Sequence, residues 1–319
     1  MARALIADIG GTNTRVALAE GGRIVAGSVR HYRNAAFAGP EPVLHRFLAD
    51  AGEDRVAAAC LAMAGPVRAG KGHLTNLDWT LDTRLLAGAT GADTVALLND
   101  LQAQGHALGH IPAGALEPVV PGAPPDGPAT RLVIGIGTGF NAAPVYDTAG
   151  GREVPPAEAG HTTLPGRTDA DLRLIRYIES RDGVAAVEDA LSGRGICAIH
   201  DWLADEAGAP GGASSREIME ALEAGESRAR AAAAVFARLT GRVAGDLALS
   251  LLPFGGVFLI GGMARAMAPW LVDLGFVEAF RDKGRFSGFM EQFAVTVVSD
   301  DDAALTGCAL HLDALTRRG

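Results

Sequence analysis

Two fourteen-residue stretches, 5–18 (LIADIGGTNTRVAL) and 132–145 (LVIGIGTGFNAAPV), are built to one plan: an apolar run, a glycine-punctuated turn and a second alternating run. With a shift of 127 positions (132 − 5), Leu5 falls on Leu132, Ile9 on Ile136 and Gly10 on Gly137. Three identities in fourteen are few, so the pattern carries the repeat. A duplication on this scale predicts two related lobes facing each other, each opened by a β-hairpin. At 319 residues the chain is long enough for two cores. Beyond the hairpins, apolar runs alternate with amphipathic ones in both halves, which predicts an α/β protein with two sheets.

The first hairpin is expected to turn at Gly10-Gly11, followed by a third strand over 24–29 and a short helix over 42–50. Residues 56–63 and 95–98 read as strands buried on both faces. Asp82 reads as the cap of a helix over 83–89, and a further helix is expected over 101–108. The six prolines of 112–130 predict a crossover loop. In the second half, 228–252 is the longest helix, ended by Pro253. Strands over 256–260 and 293–298 and a closing helix over 303–315 complete the pattern.

A net charge of −9, with no lysine or arginine cluster, argues against a nucleic-acid partner. No run approaches the ~18 apolar residues of a membrane span. The opening residues meet a charge at Asp8 after four apolar positions, unlike a signal peptide. Cys60, Cys197 and Cys308 match no metal or disulfide framework, so free thiols in a cytoplasmic protein are expected.

Three glycine turns follow three buried strands: Gly10-Gly11-Thr12-Asn13, Gly137-Thr138-Gly139 and Gly261-Gly262. None continues into the Gly-Lys-Ser/Thr of a P-loop, and none opens a GxGxxG motif. Together they suit a nucleotide: two turns grip phosphates through bare backbone N–H groups and threonine hydroxyls, and the third lets the adenosine pass. Asp8 places a carboxylate where a phosphate-bound Mg²⁺ could sit. The rival reading is that glycine-rich strand ends are common in a chain with 42 glycines. Asn99-Asp100 stands at the mouth of a strand, where ligands of open α/β sheets collect. There Asp100 is either the base that accepts a hydroxyl proton in phosphoryl transfer or a helix N-cap. Glu158 and His161, three apart in a loop after Pro155-Pro156, and Glu188 ahead of the LSGRG run 191–195 suit acceptors for sugar hydroxyls. For His161, zinc ligation and a satisfied core histidine are the alternatives, and no Cys-x-x-Cys downstream completes a zinc site.

In this order the motifs resemble the bacterial glucokinase family, of the proteobacterial type within the actin-like ATPase/hexokinase superfamily. The resemblance runs nearly end to end: ADIGGT at 7–12, Thr75-Asn76, Asn99-Asp100, GIGTG at 135–139, EAGH at 158–161, Glu188 with LSG at 191–193, FGGVFLIGG at 254–262 and DKGRF at 282–286. It implies a two-lobed actin-like (ribonuclease H-like) α/β fold, each lobe a mixed sheet with flanking helices, with the active site in the cleft. Residues 1–110 would form the smaller lobe, with helix 302–319 packing back on it, and residues 111–301 the larger. The implied activity is ATP-dependent phosphorylation of glucose at its 6-hydroxyl with Mg²⁺, in a homodimer. Asp100 matches the catalytic base, and Asn76, Asn99, Asp100, Glu158, His161 and Glu188 the sugar-binding residues. Asp8, Gly10, Gly11, Thr12, Asn13, Gly137, Thr138, Gly139, Gly261 and Gly262 match the ATP site, with Asp8 meeting Mg²⁺ through water. Another hexose or an N-acetylhexosamine as substrate, or a non-catalytic sugar or nucleotide sensor, are the alternatives. Two departures stand out: Ala159 where the family has glycine in EGGH, and Phe140-Asn141 where it has Leu-Gly.

Overall fold

The structure is a computed structural model that describes residues 3–74, 77–122, 125 and 127–317. Asn76, and with it the expected sugar contact there, lies outside the described residues. The chain divides into two compact units. Unit 1 comprises Met1–Pro112, Thr148–Pro156 and Asp300–Gly319, and unit 2 comprises Ala113–Asp147 and Ala157–Ser299.

Unit 1 opens with β1 (Ala4–Ile9), β2 (Asn13–Glu20), β3 (Arg23–Ile24) and β4 (Arg30–Arg33), then α1 (Pro40–Ala51) and β5 (Ala58–Met63). A small antiparallel sheet, β6 (Val67–Arg68), β7 (Lys71–His73) and β8 (Thr80–Asp82), precedes α2 (Thr83–Thr90), β9 (Thr94–Asn99) and α3 (Asp100–Ala107). The main sheet runs β3-β2-β1-β5-β9, with β4 also on β2; β1, β5 and β9 are parallel. Of the strand expected over 24–29 only Ile24 is in one: β3 ends there, the chain turns at Gly27, whose φ of +74° is left-handed, and β4 begins at Arg30. Both faces of the sheet are covered. Leu5, Ala7 and Ile9 pack with Phe47 of α1 and Leu86 of α2, and Ile6, Cys60 and Ala62 pack on the closing helix, α11 below.

Unit 2 contains β10 (Leu116–Val120), β11 (Arg131–Ile136) and β12 (Phe140–Thr148), the last leading into β13 (Gly151–Glu153) of unit 1. Then come α4 (Asp169–Asp182), α5 (Val187–Ala190), α6 (Gly193–Glu206), α7 (Ser215–Glu223), α8 (Ser227–Leu251), β14 (Val257–Ile260), α9 (Gly262–Met267), α10 (Phe276–Arg281) and β15 (Val295–Val298). Within the unit the sheet order is β10-β15-β14-β11-β12. The crossover loop expected over 112–130 thus holds a strand. Pro118 is tolerated there because β10 is an edge, paired only with β15, with a register shift just after the proline. α8 supplies the spine of this core, where Phe236 is buried with Phe276, Phe280 and Phe293.

The copy seen in the sequence is a copy of topology. In unit 1 the antiparallel hairpin β1-β2 is followed across the sheet by parallel β5 and β9; in unit 2 hairpin β11-β12 is followed by parallel β14 and β15. The chain then returns to unit 1 as α11 (Ala303–Thr316). The segment Thr148–Pro156, expected with the larger lobe, belongs to unit 1: Arg152 donates to the carbonyls of His106 and Leu108, and Gln102 to that of Val154.

Candidate functional site

In unit 1 the candidate residues share one edge of the sheet. Parallel register puts Ile9, Met63 and Asn99 in one row, so Asp8 and the Asn99-Asp100 pair both stand at the carboxyl ends of strands. The first turn is wider than a two-residue Gly10-Gly11 turn. Ile9 pairs with Thr14, which leaves Gly10, Gly11, Thr12 and Asn13 as the loop, closed by Gly10 N–H donating to Asn13 O at 3.0 Å. The wider loop sets Asp8 directly opposite Arg15, and the two form an ion pair at 2.5 Å. Buried Asn34 braces the turn. Its amide donates to Gly10 O (2.8 Å), its backbone N–H to Thr12 O (2.9 Å), and it accepts from the Thr14 hydroxyl (2.7 Å).

The two readings of Asn99-Asp100 separate in space. Asn99 is the N-cap of α3: its side chain accepts from Gln102 N–H at 2.7 Å while the Gln102 side chain accepts from Asn99 N–H at 3.1 Å. Asp100 is the first helical residue, exposed, with Leu101 N–H on its Oδ1 at 2.8 Å. Capping therefore falls to the buried Asn99, and the carboxylate of Asp100 stands at the positive end of α3.

In unit 2 the second turn, the 158–161 loop and Glu188 form one hydrogen-bonded group. Ile136 pairs with Phe140, so this loop is three residues, Gly137–Gly139, one fewer than in unit 1. The repeat offset is consequently 127 on the first strand of the hairpins and 126 on the second. Gly10, Gly137 and Gly139 do not use left-handed φ. Gly139 is needed for space, since a Cβ there would lie 2.3 Å from Glu188 Oε2. That carboxylate accepts from Phe140 N–H at 2.9 Å on Oε2 and from Arg194 at 2.8 Å on Oε1. Gly160 packs against the Phe140 carbonyl, where a Cβ would come within 2.0 Å. Glu158 and His161 are both exposed; Glu158 precedes a short 3₁₀ turn, Ala159–His161, and His161 ends it. The chain after this turn is tied to Glu188 by Val187 N–H donating to Thr162 O and Leu164 N–H to Ala185 O. Gly193 N–H donates to Gly137 O at 2.8 Å, joining the LSGRG run to the same turn. Gly261 completes the set. Its φ is +99° and a Cβ would meet Ile136 O at 2.5 Å, so its backbone lies flat against the end of β11. Gly262 then begins α9.

The glucokinase family model matches residues 5–315 of the chain. The chain belongs to the glucokinase family. A glucokinase of Chromobacterium violaceum is 33% identical over 315 residues, covering 97% of this chain and 88% of the relative. A crystal structure of a glucokinase from an Antarctic psychrotroph superposes with a TM-score of 0.87 at 30% identity, covering 98% of this chain and 99% of that one. The structure of the Balamuthia mandrillaris glucokinase in complex with glucose shares the fold, with a TM-score of 0.79 at 22% identity over 100% of this chain and 94% of that one. The actin-like α/β fold that the motifs imply is the fold of this family.

Sequence reading missed three side chains that hold Asp8, Glu188 and the first turn. Arg15 follows from hairpin register once the loop is four residues long. Arg194 lies inside the LSGRG run and carries the one charge in it. Asn34 gives no local signal, being twenty positions from the Thr14 it holds. Asp8 would meet Mg²⁺ held by water and substrate phosphates through its Oδ1, since Arg15 pairs with its Oδ2. Among the described residues no cluster of three or more His, Cys, Asp or Glu could cage a metal, and Asp8 offers a carboxylate beside the first turn. No helix among them is long and apolar enough to cross a membrane.

Proposed function

We propose that the protein transfers the γ-phosphoryl group of ATP to the 6-hydroxyl of D-glucose, with Asp100 as the base. The observation that carries the assignment is the split of tasks at β9–α3: Asn99 caps the helix, and Asp100 presents an exposed carboxylate at a strand's carboxyl end. The sugar O6 attacks the γ-phosphorus, the bond from phosphorus to the ADP oxygen breaks, and the hydroxyl proton passes to the Asp100 carboxylate. In such a loose transition state the proton leaves late, so an ordinary carboxylate suffices and positioning does most of the work. Glu158, His161 and Glu188 accept hydrogen bonds from ring hydroxyls, aided by Asn99 and by Asn76. Thr12 and Thr138, both exposed on their turns, donate to phosphate oxygens with the neighbouring amides of Gly11, Asn13 and Gly139. Mg²⁺, reached by Asp8 through water, supplies neutralisation of phosphate charge. The homodimer and the cytoplasmic residence usual in the family belong to the same proposal.

Purified protein with ATP, Mg²⁺ and glucose should form glucose 6-phosphate, with kcat/KM above that for mannose, fructose and N-acetylglucosamine. ATP hydrolysis at a comparable rate without sugar would point to a nucleotide switch instead. Asp100→Asn should bind glucose nearly as the wild type does and lose ~10²–10⁴-fold in kcat. A variant keeping more than about a tenth of wild-type kcat removes Asp100 from this role.

A further inference from the structure

Phe140-Asn141 and Ala159, the two places where the sequence motifs differ from those of the family they resemble, are in direct contact in the structure. Asn141, the second residue of β12, lies opposite Gly135. Its Nδ2 donates to Ala157 O at 2.5 Å, and its Oδ1 accepts from Ala159 N–H at 2.9 Å and from Ala142 N–H at 2.8 Å. One side-chain amide thus holds the peptide groups on both sides of Glu158. Glu158 itself has φ −128° and ψ +56°, outside the helical and extended basins, so no regular element fixes it. The residue before Asn141 holds the other half of the group: Phe140 N–H grips the Glu188 carboxylate, and the Phe140 carbonyl packs on Gly160.

We propose that Asn141 is a positioning residue for sugar binding, setting Glu158 in register with Glu188 and the Gly137–Gly139 turn through its two bonds to Ala157 and Ala159. This inference rests on the reading of Glu158 and Glu188 as acceptors of sugar hydroxyls. Asn141 touches no substrate and acts through the loop. A glycine there leaves the 157–159 peptides to hold themselves, whereas here the amide of a strand residue does so. Strands position a site better than loops do, which is the physical gain of the arrangement. Around metal sites, removing a partner that orients a ligating side chain costs ~10–100-fold in affinity or activity, and a loss of the same order is expected for a carboxylate that orients a sugar.

The test compares Asn141→Gly, which removes both bonds, with Asn141→Asp. The Asp variant keeps the acceptor for Ala159 and Ala142 and sets a carboxylate oxygen against the Ala157 carbonyl in place of the donor. Steady-state kinetics are measured against glucose and, separately, against ATP, alongside thermal unfolding. In Asn141→Gly the KM for glucose should rise ~10–100-fold, with the KM for ATP within about twofold of wild type. Asn141→Asp should show the same split. A glucose KM unchanged within twofold in both variants overturns the proposal. So does a joint rise of both KM values in step with a lowered melting temperature, which is what a merely structural residue gives. If the wild type phosphorylates no hexose, the functional reading fails first and the inference falls with it. Wild-type activity with indifferent variants sinks the inference alone.

Discussion

Gly139 shows how much one hydrogen atom in place of a methyl group can decide. A Cβ at this position would lie 2.3 Å from Glu188 Oε2 and 3.0 Å from its Cδ, while no backbone atom is within 4 Å among its three nearest contacts. The crowded group is the end of a flexible side chain, so Gly139→Ala should be relieved by Glu188 swinging away rather than by the fold giving. That swing breaks the 2.9 Å bond from Phe140 N–H to the carboxylate. A hydrogen bond to a charged group contributes about 1.5–3 kcal/mol. The expected outcome is a glucose KM raised about tenfold or more, with the fold retained and a melting temperature lowered by only a few degrees. An unchanged KM in a folded variant would show that Glu188 does not meet the sugar from where the turn holds it.

At the scale of elements, much was readable because burial and period coincide. α8 and β5 are plain from spacing and from an unbroken apolar run, and α2 from Asp82, whose side chain does cap it; α3 is expected over 101–108 with the cap reading placed on Asp100, whereas Asn99 caps it. What stayed hidden is what depends on partners far away in sequence. β10 looks like loop because of its proline, and only its position at the edge of β15 makes it a strand. The one-residue difference between the two hairpin loops was hidden as well, since glycine, threonine and asparagine suit either width. The site showed the same limit: Asp100, Glu158 and Glu188 are chemically conspicuous, whereas Asn34 and Asn141 matter only through the backbone they hold. Close contact between helices belongs to this hidden class too. Gly307 of α11 lies against α3, and a Cβ there would be 1.7 Å from the Ala103 carbonyl oxygen and 2.7 Å from its carbon. Backbone cannot rotate aside, so Gly307→Ala should force α11 off α3 and cost about 1–3 kcal/mol. Gly88→Ala in α2 is the control. Nothing lies within 4 Å of its Cβ position, and gaining a better helix former should be neutral or stabilising by up to about 1 kcal/mol. Urea unfolding of both variants reads the contrast, and equal effects would refute the packing argument.

For the whole molecule, the discontinuity of unit 1 has a consequence at one point. Its three chain segments meet at His106 of α3, His311 of α11 and Arg152 of the returning segment. The two imidazoles lie 4.4 Å apart, His106 is only 7% exposed, and Arg152 donates to its carbonyl at 3.0 Å. Burial, then the neighbouring His311 and the Arg152 charge, push the His106 imidazole down to about 3 from an ordinary 6.5. The unfolded chain therefore takes up a proton on this group below about pH 6.5 that the folded chain refuses until about pH 3. Across that window the unfolded state binds more protons, so stability is intact above pH 6.5 and drains as the pH falls. The slope is at most about 1.4 kcal/mol per pH unit for a single group. His106→Gln removes the titration while keeping a polar, uncharged side chain. Melting temperatures taken at half-unit steps from pH 7.5 to 4.5 should fall more steeply for the wild type than for this variant, with the two curves diverging only below about pH 6.5. Parallel curves would mean that His106 takes its proton without opening the joint, and that the three segments of unit 1 are not held there by an uncharged contact.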